Sequence, residues 1–112
     1  VTKVEGANLE VLPVRSTPPN PAELLGSERM REVLEELARS YDRVVLDVPC
    51  TLGLPDAKTM SELCDGIIFV VRADATREDD VRGALDALDR RRVVGMLLNG
   101  ESQTPSRYGY AE

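Results

Sequence analysis

The chain has 112 residues, 42% of them apolar and 30% charged, with 14 basic against 20 acidic side chains and a net charge of −6. That is the make-up of one soluble globular domain, long enough to bury roughly 65% of its unfolded surface without disulfides or metal. It excludes unaided binding to nucleic acid or an anionic membrane as a main purpose. Histidine is absent, which removes Ser/His/Asp and Cys/His catalysis, His-ligated zinc and imidazole pH switching. The longest wholly apolar run is Ile67–Val71, far short of the ~20 residues that span a bilayer, and no signal-peptide core precedes it. Cys50 and Cys64 match neither a metal knuckle nor a redox pair and read as packed, reduced thiols of a cytosolic protein. The first residue is Val1 rather than methionine, which points to a fragment, a processed product or an incomplete sequence.

In chain order, Leu9–Val14 alternates weakly and predicts a short extended piece, ended by the turn-forming Ser16-Thr17-Pro18-Pro19-Asn20-Pro21. Met30, Val33, Leu34, Leu37, Ala38 and Tyr41 then fall on one face of a helix, with Ser27 placed as its N-cap. The opposite face carries Arg31, Glu35 and Arg39 at i,i+4 spacing and reads as a solvated surface. Arg43–Val48, Gly66–Arg72 and Val93–Leu98 are short continuous apolar runs, the form taken by strands covered on both faces in a parallel sheet. Between them, Ala57, Met60, Leu63 and Cys64 predict a short helix after Asp56. Val81, Ala84, Leu85 and Leu88 predict a longer one, capped by Thr76, with Glu78, Asp79 and Asp80 in its first turn and Arg90, Arg91 and Arg92 at its end, complementing the helix dipole.

This succession predicts an α/β fold of three layers, a mostly parallel sheet of about four strands with flanking helices. The folded domain is expected over residues 1–100. Residues 101–112 form a polar stretch with Pro105 and Gly109 and no periodicity, predicted to be a flexible tail.

Ligands of open parallel sheets sit beyond the carboxyl ends of the strands. The residues to inspect are therefore Asp47, Arg72–Asp74 and Asn99–Gly100. A carboxylate that closes an apolar run has the form of a Walker B aspartate, which holds magnesium directly or through water. The same residue also reads as a plain turn at a strand end. Asn99 offers donor and acceptor to a nucleotide base, and Asn-Gly is equally an ordinary turn.

Taken together, the stretch from Pro18-Pro19-Asn20-Pro21-Ala22-Glu23-Leu24-Leu25 to Met30, then Tyr41–Asp47, Pro55-Asp56-Ala57, Val70-Val71-Arg72, Thr76, Gly95–Asn99 and Arg107-Tyr108-Gly109-Tyr110 resembles the bacterial tyrosine autokinases of exopolysaccharide synthesis. The likeness runs in order from about Leu9 to Tyr110. The Pro-Asn-Pro-Ala-Glu-Leu-Leu stretch is specific to that family, and the strand-ending aspartate is shared with the wider ParA/MinD-like ATPases of the P-loop superfamily.

The resemblance implies an ATP- and magnesium-dependent kinase that phosphorylates tyrosines in its own tail. Such kinases often act in trans within a homo-oligomeric ring. They are held at the inner face of the membrane through a polysaccharide co-polymerase protein. By resemblance, Asp47 is the catalytic, magnesium-holding aspartate, Asn99 the residue beside the base, and Tyr108 and Tyr110 the phospho-acceptors.

Two features depart from the family. Val48, Pro49 and Cys50 stand where a threonine and two prolines usually follow the aspartate, and Gly-x-x-x-x-Gly-Lys-Ser/Thr occurs nowhere, the only lysines being Lys3 and Lys58. Without a phosphate cradle and its lysine, neither positioning nor charge neutralisation of ATP is expected. The sequence therefore reads as the C-terminal half of such a kinase, binding no cofactor by itself. Two other readings are a non-catalytic regulator or docking module of the same fold, and a fragment of a ParA/MinD-like partition ATPase. By resemblance the missing phosphate-loop strand belongs between Arg43–Val48 and Gly66–Arg72. Those edges are expected either to close on one another or to recruit another chain.

Overall fold

The computed structural model of the chain describes residues 1–48 and 55–100. A small antiparallel pair opens it, β1 (Thr2–Lys3) against β2 (Glu10–Val11), with Thr2 facing Val11 and Lys3 facing Glu10. Next comes a five-residue helix, α1 (Pro21–Leu25), hidden behind the proline cluster in the sequence. Pro21 stands at its first turn, where a missing N–H costs nothing and the fixed φ already suits a helix.

Helix α2 (Glu28–Ser40) starts as its sequence predicts. Ser27 is extended at φ −78°, ψ 156°, and its hydroxyl accepts the Met30 N–H at 3.2 Å. The same hydroxyl donates to the Leu24 carbonyl at 2.6 Å, so one side chain closes α1 and opens α2. Exposed ion pairs Arg29–Glu32 and Glu35–Arg39 line the outer face. Tyr41 ends the helix, and its hydroxyl donates to Glu10, pinning the β1–β2 hairpin to the helix terminus. This hydrogen bond is the main cause raising the Tyr41 pKa above the ordinary phenol value, with desolvation and the Glu10 charge adding to it.

Helix α3 (Pro55–Glu62) buries Ala57, Met60 and Ser61, the last donating to the Lys58 carbonyl at 2.6 Å. Then β3 (Ile67–Arg72), α4 (Glu78–Ala87), a 3₁₀ turn (Arg90–Arg92) and β4 (Val93–Asn99) complete the described chain. Strands β3 and β4 are parallel neighbours, from Ile67 opposite Val93 to Arg72 opposite Asn99, with an irregularity that leaves Val94 as an extra residue. Gly66 lies beside that bulge. A Cβ there would come within 3.1 Å of a Val94 methyl, so the missing side chain makes room for it.

Phe69 on β3 is buried with Ala84 and Leu88 of the α4 side, and Ile67, Val71, Val81, Leu85 and Val93 pack around them. The i, i+3, i+4, i+7 stripe Val81, Ala84, Leu85, Leu88 is thus spent on one face of the sheet. The α/β class, the parallel pairing and the flanking helices agree with the sequence reading.

Three local expectations are corrected. Thr76 does not cap α4; Arg77 holds that position without a side-chain bond, and the Thr76 hydroxyl instead accepts the Arg72 N–H at 3.1 Å, folding the turn after β3. Arg90–Arg92 are not the last turn of α4 but a separate 3₁₀ turn, capped by the Asp89 side chain accepting the Arg91 N–H. Arg43–Val48 joins no strand ladder among the described residues, and Val45 is 90% exposed. An apolar run becomes a strand only when a second strand takes up its N–H and C=O groups. Of the two expected outcomes, closure of this run onto β3 does not occur among the described residues.

Candidate functional site

The carboxyl ends of β3 and β4 come together. Arg72 and Asn99 are register partners, and the Asn99 carbonyl accepts the Ala73 N–H at 2.8 Å. The chain leaves β3 through a turn in which the Ala75 and Thr76 N–H groups both donate to the Arg72 carbonyl. Asp74 takes φ +57° there, a left-handed conformation that aspartate tolerates better than most side chains. Gly100, at φ +75°, turns the chain away after Asn99, where a glycine is the residue of least strain. Asn99 is exposed at this edge, its backbone fixed and its amide open to solvent.

Asp47 is also exposed, and among the described residues it has neither a hydrogen-bond nor an ion-pair partner. No group of three or more His, Cys, Asp or Glu that could hold a metal ion occurs among the described residues. Magnesium demands near-octahedral oxygen ligation and is usually held by one or two carboxylates together with substrate phosphates and waters. A lone exposed carboxylate, in a sequence without a phosphate loop, does not by itself fit magnesium-ATP. The cleft between α1, α2 and α3, lined by Leu25, Ser27, Arg31, Thr59, Glu62 and Leu63, offers about 40 Å³. That is room for a water or two and not for a nucleotide.

Tyr108 and Tyr110 lie outside the described residues, as does Cys50. Cys64 is half-buried and free, and its thiol donates to the Met60 carbonyl at 3.2 Å. Burial, and then the Asp65 charge, push its pKa up against the opposing pull of Arg92, which marks it as a packing thiol rather than a nucleophile.

The residue that sequence reasoning missed is Arg92. Its guanidinium donates to the Cys64 carbonyl at 2.6 Å and the Glu62 carbonyl at 3.3 Å, tying the end of α3 to the start of β4. Its neighbour Arg91 pairs with Asp89, whose carboxyl is held below the usual range chiefly by the Arg91 side-chain hydrogen bond and then by its backbone N–H. In the sequence the three arginines are indistinguishable; a guanidinium bound to carbonyls across 28 residues leaves no local signal.

The parallel β3–β4 pair with its flanking helices has the class of a partial P-loop NTPase fold, with Asn99 at the strand end and Asp47 outside the sheet. No family model matches the chain. It is 35% identical over 106 residues to the tyrosine-protein kinase YwqD of Bacillus subtilis, covering 92% of this chain and 45% of that protein. To the tyrosine-protein kinase Wzc of Salmonella typhimurium it is 32% identical over 111 residues, covering 95% of this chain and 15% of that protein. The crystal structure of the VpsO kinase domain superposes with a TM-score of 0.71 at 32% identity, over 78% of this chain and 44% of that one. The chain is thus homologous to the C-terminal part of bacterial tyrosine-protein kinases, and it spans less than half the length of these relatives.

Proposed function

We propose that the chain is the C-terminal part of an ATP-dependent protein-tyrosine autokinase that regulates exopolysaccharide synthesis, and that these 112 residues alone neither bind nor hydrolyse ATP. The observation that carries the kinase reading is the 35% identity to a tyrosine-protein kinase over 92% of the chain. It favours this reading over a partition ATPase. Inactivity in isolation rests on the missing phosphate loop and on the solitary, exposed Asp47.

Within the assembled kinase, Asp47 is the carboxylate available to magnesium, and Asn99 presents an amide at the strand edge where a base would lie. Tyr108 and Tyr110 accept phosphate. A membrane polysaccharide co-polymerase and further copies of the kinase are the partners, at the cytoplasmic face of the membrane. Support for this membrane partnership is the likeness to Wzc and the other kinases; among the described residues no helix is long and apolar enough to cross a bilayer.

The test is phosphoryl transfer in trans. Incubated with magnesium-ATP alone, the chain should remain unlabelled. With the active Bacillus subtilis kinase added, it should acquire phosphate that the double substitution Tyr108→Phe, Tyr110→Phe abolishes. Label at Tyr41 instead would defeat the assignment, because its hydroxyl already donates to Glu10 and a phosphate there would set about −1.5 to −2 charges against that carboxylate.

A further inference from the structure

One side chain holds the β1–β2 hairpin to the helix beside it. Glu10 lies on β2 opposite Lys3, and its two carboxylate oxygens have different partners. Lys3 stands 3.7 Å from Oε1, and the Tyr41 hydroxyl donates to Oε2. Among the described residues no other hydrogen bond or ion pair joins residues 1–15 to α2, α4 or the β3–β4 pair. Apolar packing does not replace it, since Val4, Leu9, Val11 and Leu12 are all exposed. The tyrosine end of the bond is open as well. Tyr41 follows α2 in extended backbone at φ −129°, ψ 144°, and Arg39, Ser40, Asp42 and Arg43 around it are exposed. An exposed, extended segment is the form in which a chain is taken up by another protein's cleft, and here the carboxylate of Glu10 occupies the hydroxyl such a cleft would use.

We propose that Tyr41 is a gated phosphorylation site: Glu10 keeps its hydroxyl occupied while the hairpin is docked, and release of the hairpin presents it to a protein-tyrosine kinase acting in trans. The gate rests on the Glu10 geometry alone; the source of phosphate rests on the proposed kinase function. Transfer needs a free phenol oxygen. That oxygen bonds to the γ-phosphorus of a nucleoside triphosphate, and the bond from this phosphorus to the β,γ-bridging oxygen breaks. The nucleoside diphosphate leaves with that oxygen, and the phenolic proton passes to a base on the kinase. In the closed state Glu10 holds the proton that must be given up and sets a negative charge against the incoming γ-phosphate. Lys3 is exposed, and an exposed ion pair contributes little, so the bond from Tyr41 to Glu10 is the gate and Lys3 only orients the carboxylate. Phosphate on Tyr41 adds about −1.5 to −2 charges where Glu10 docks. A filled site therefore cannot close again, and a closed one stays unlabelled.

The experiment reads the gate and the acceptor separately. The whole chain is first treated with N-acetylimidazole, which acetylates free phenol oxygens and involves neither kinase nor nucleotide. Peptide mass spectrometry should find Tyr41 of a Glu10→Ala chain modified about tenfold faster, or more, than in the unsubstituted chain, the ratio that loss of one hydrogen bond to a charged group supports. Ser27→Ala loosens α2 at its other end, and should leave the Tyr41 rate unchanged. The three chains are then incubated with the active Bacillus subtilis kinase and magnesium-ATP. Phosphate on Tyr41 is expected in the Glu10→Ala chain only. The gate is overturned if Glu10→Ala leaves the acetylation rate as it was, or if Ser27→Ala raises it as much. The acceptor role is overturned by a Glu10→Ala chain whose Tyr41 stays without phosphate, and tail label in that same chain would leave the proposed function standing. Tyr41 label without tail label would uphold the gated site and remove the tail acceptors instead.

Discussion

Two adjacent residues of β3 should respond very unequally to the loss of their apolar groups. Phe69 is 8% exposed and locked between Ala84 and Leu88. Phe69→Ala removes its burial and leaves a cavity under α4, at a typical cost of about 3–5 kcal/mol. Domains of this size are stable by roughly 5–15 kcal/mol in all, so that one change removes a large part of the total. Ile68 points the other way. Fully burying an isoleucine is worth about 1.5–3 kcal/mol, and with two thirds of the residue already in water, only about a third of that, roughly 0.5–1 kcal/mol, is at stake. Ile68→Thr keeps the β-branch and hence the strand preference, so the cost should fall at or below that figure. Urea denaturation followed by far-UV circular dichroism, at two protein concentrations tenfold apart, measures both changes. Equal destabilisation by the two substitutions would refute the one-sided sheet, and a cost at Ile68 that grows with concentration would show the open face filled by another copy.

Further outcomes follow from single contacts. Ser27→Ala removes the cap on the Met30 N–H and the bond to the Leu24 carbonyl, and should lower stability by about 1 kcal/mol in the same assay. The raised Tyr41 pKa means that the folded state holds the phenol proton more tightly than the unfolded chain. The stabilisation is therefore full below the ordinary phenol value of about 10 and is lost as pH rises through the higher folded value. A Tyr41→Phe variant should show a flatter stability profile above that point, and identical profiles would remove the Glu10 contact from the explanation. Asp89 behaves in the opposite sense: its lowered pKa gives stabilisation that is present above the ordinary carboxylate value of about 3.9 and lost as pH falls through the folded one. Asp89→Asn should blunt that acid limb in a pH titration of the unfolding midpoint. Calorimetric titration of the chain with magnesium-ATP should give no heat of binding at micromolar concentration, with or without Asp47→Ala; binding that the substitution removes would show that the phosphate loop is dispensable here.

Periodicity alone determined the parts whose partners lie close in sequence. The helical stripe from Met30 to Leu37 and its Ser27 cap were legible, because a 3.6-residue period and a capping hydroxyl report local backbone geometry. The kinase likeness was also legible, in Pro18–Leu25 and the spacing of the later motifs. Tertiary structure decided what the same patterns could not. Val44–Leu46 and Ile67–Val71 look alike as sequence, yet only the second is a strand, because strand formation depends on a neighbour's hydrogen-bonding groups. Thr76 reads as a cap and closes a turn instead, since a hydroxyl can bond either the helix ahead of it or the strand end behind it. Arg92 differs from Arg90 and Arg91 only by the carbonyls of Glu62 and Cys64 that folding brings beneath it. In β3, Phe69 is buried against Ala84 and Leu88 while its neighbour Ile68 stays exposed among the described residues, a difference that the run of apolar residues does not encode.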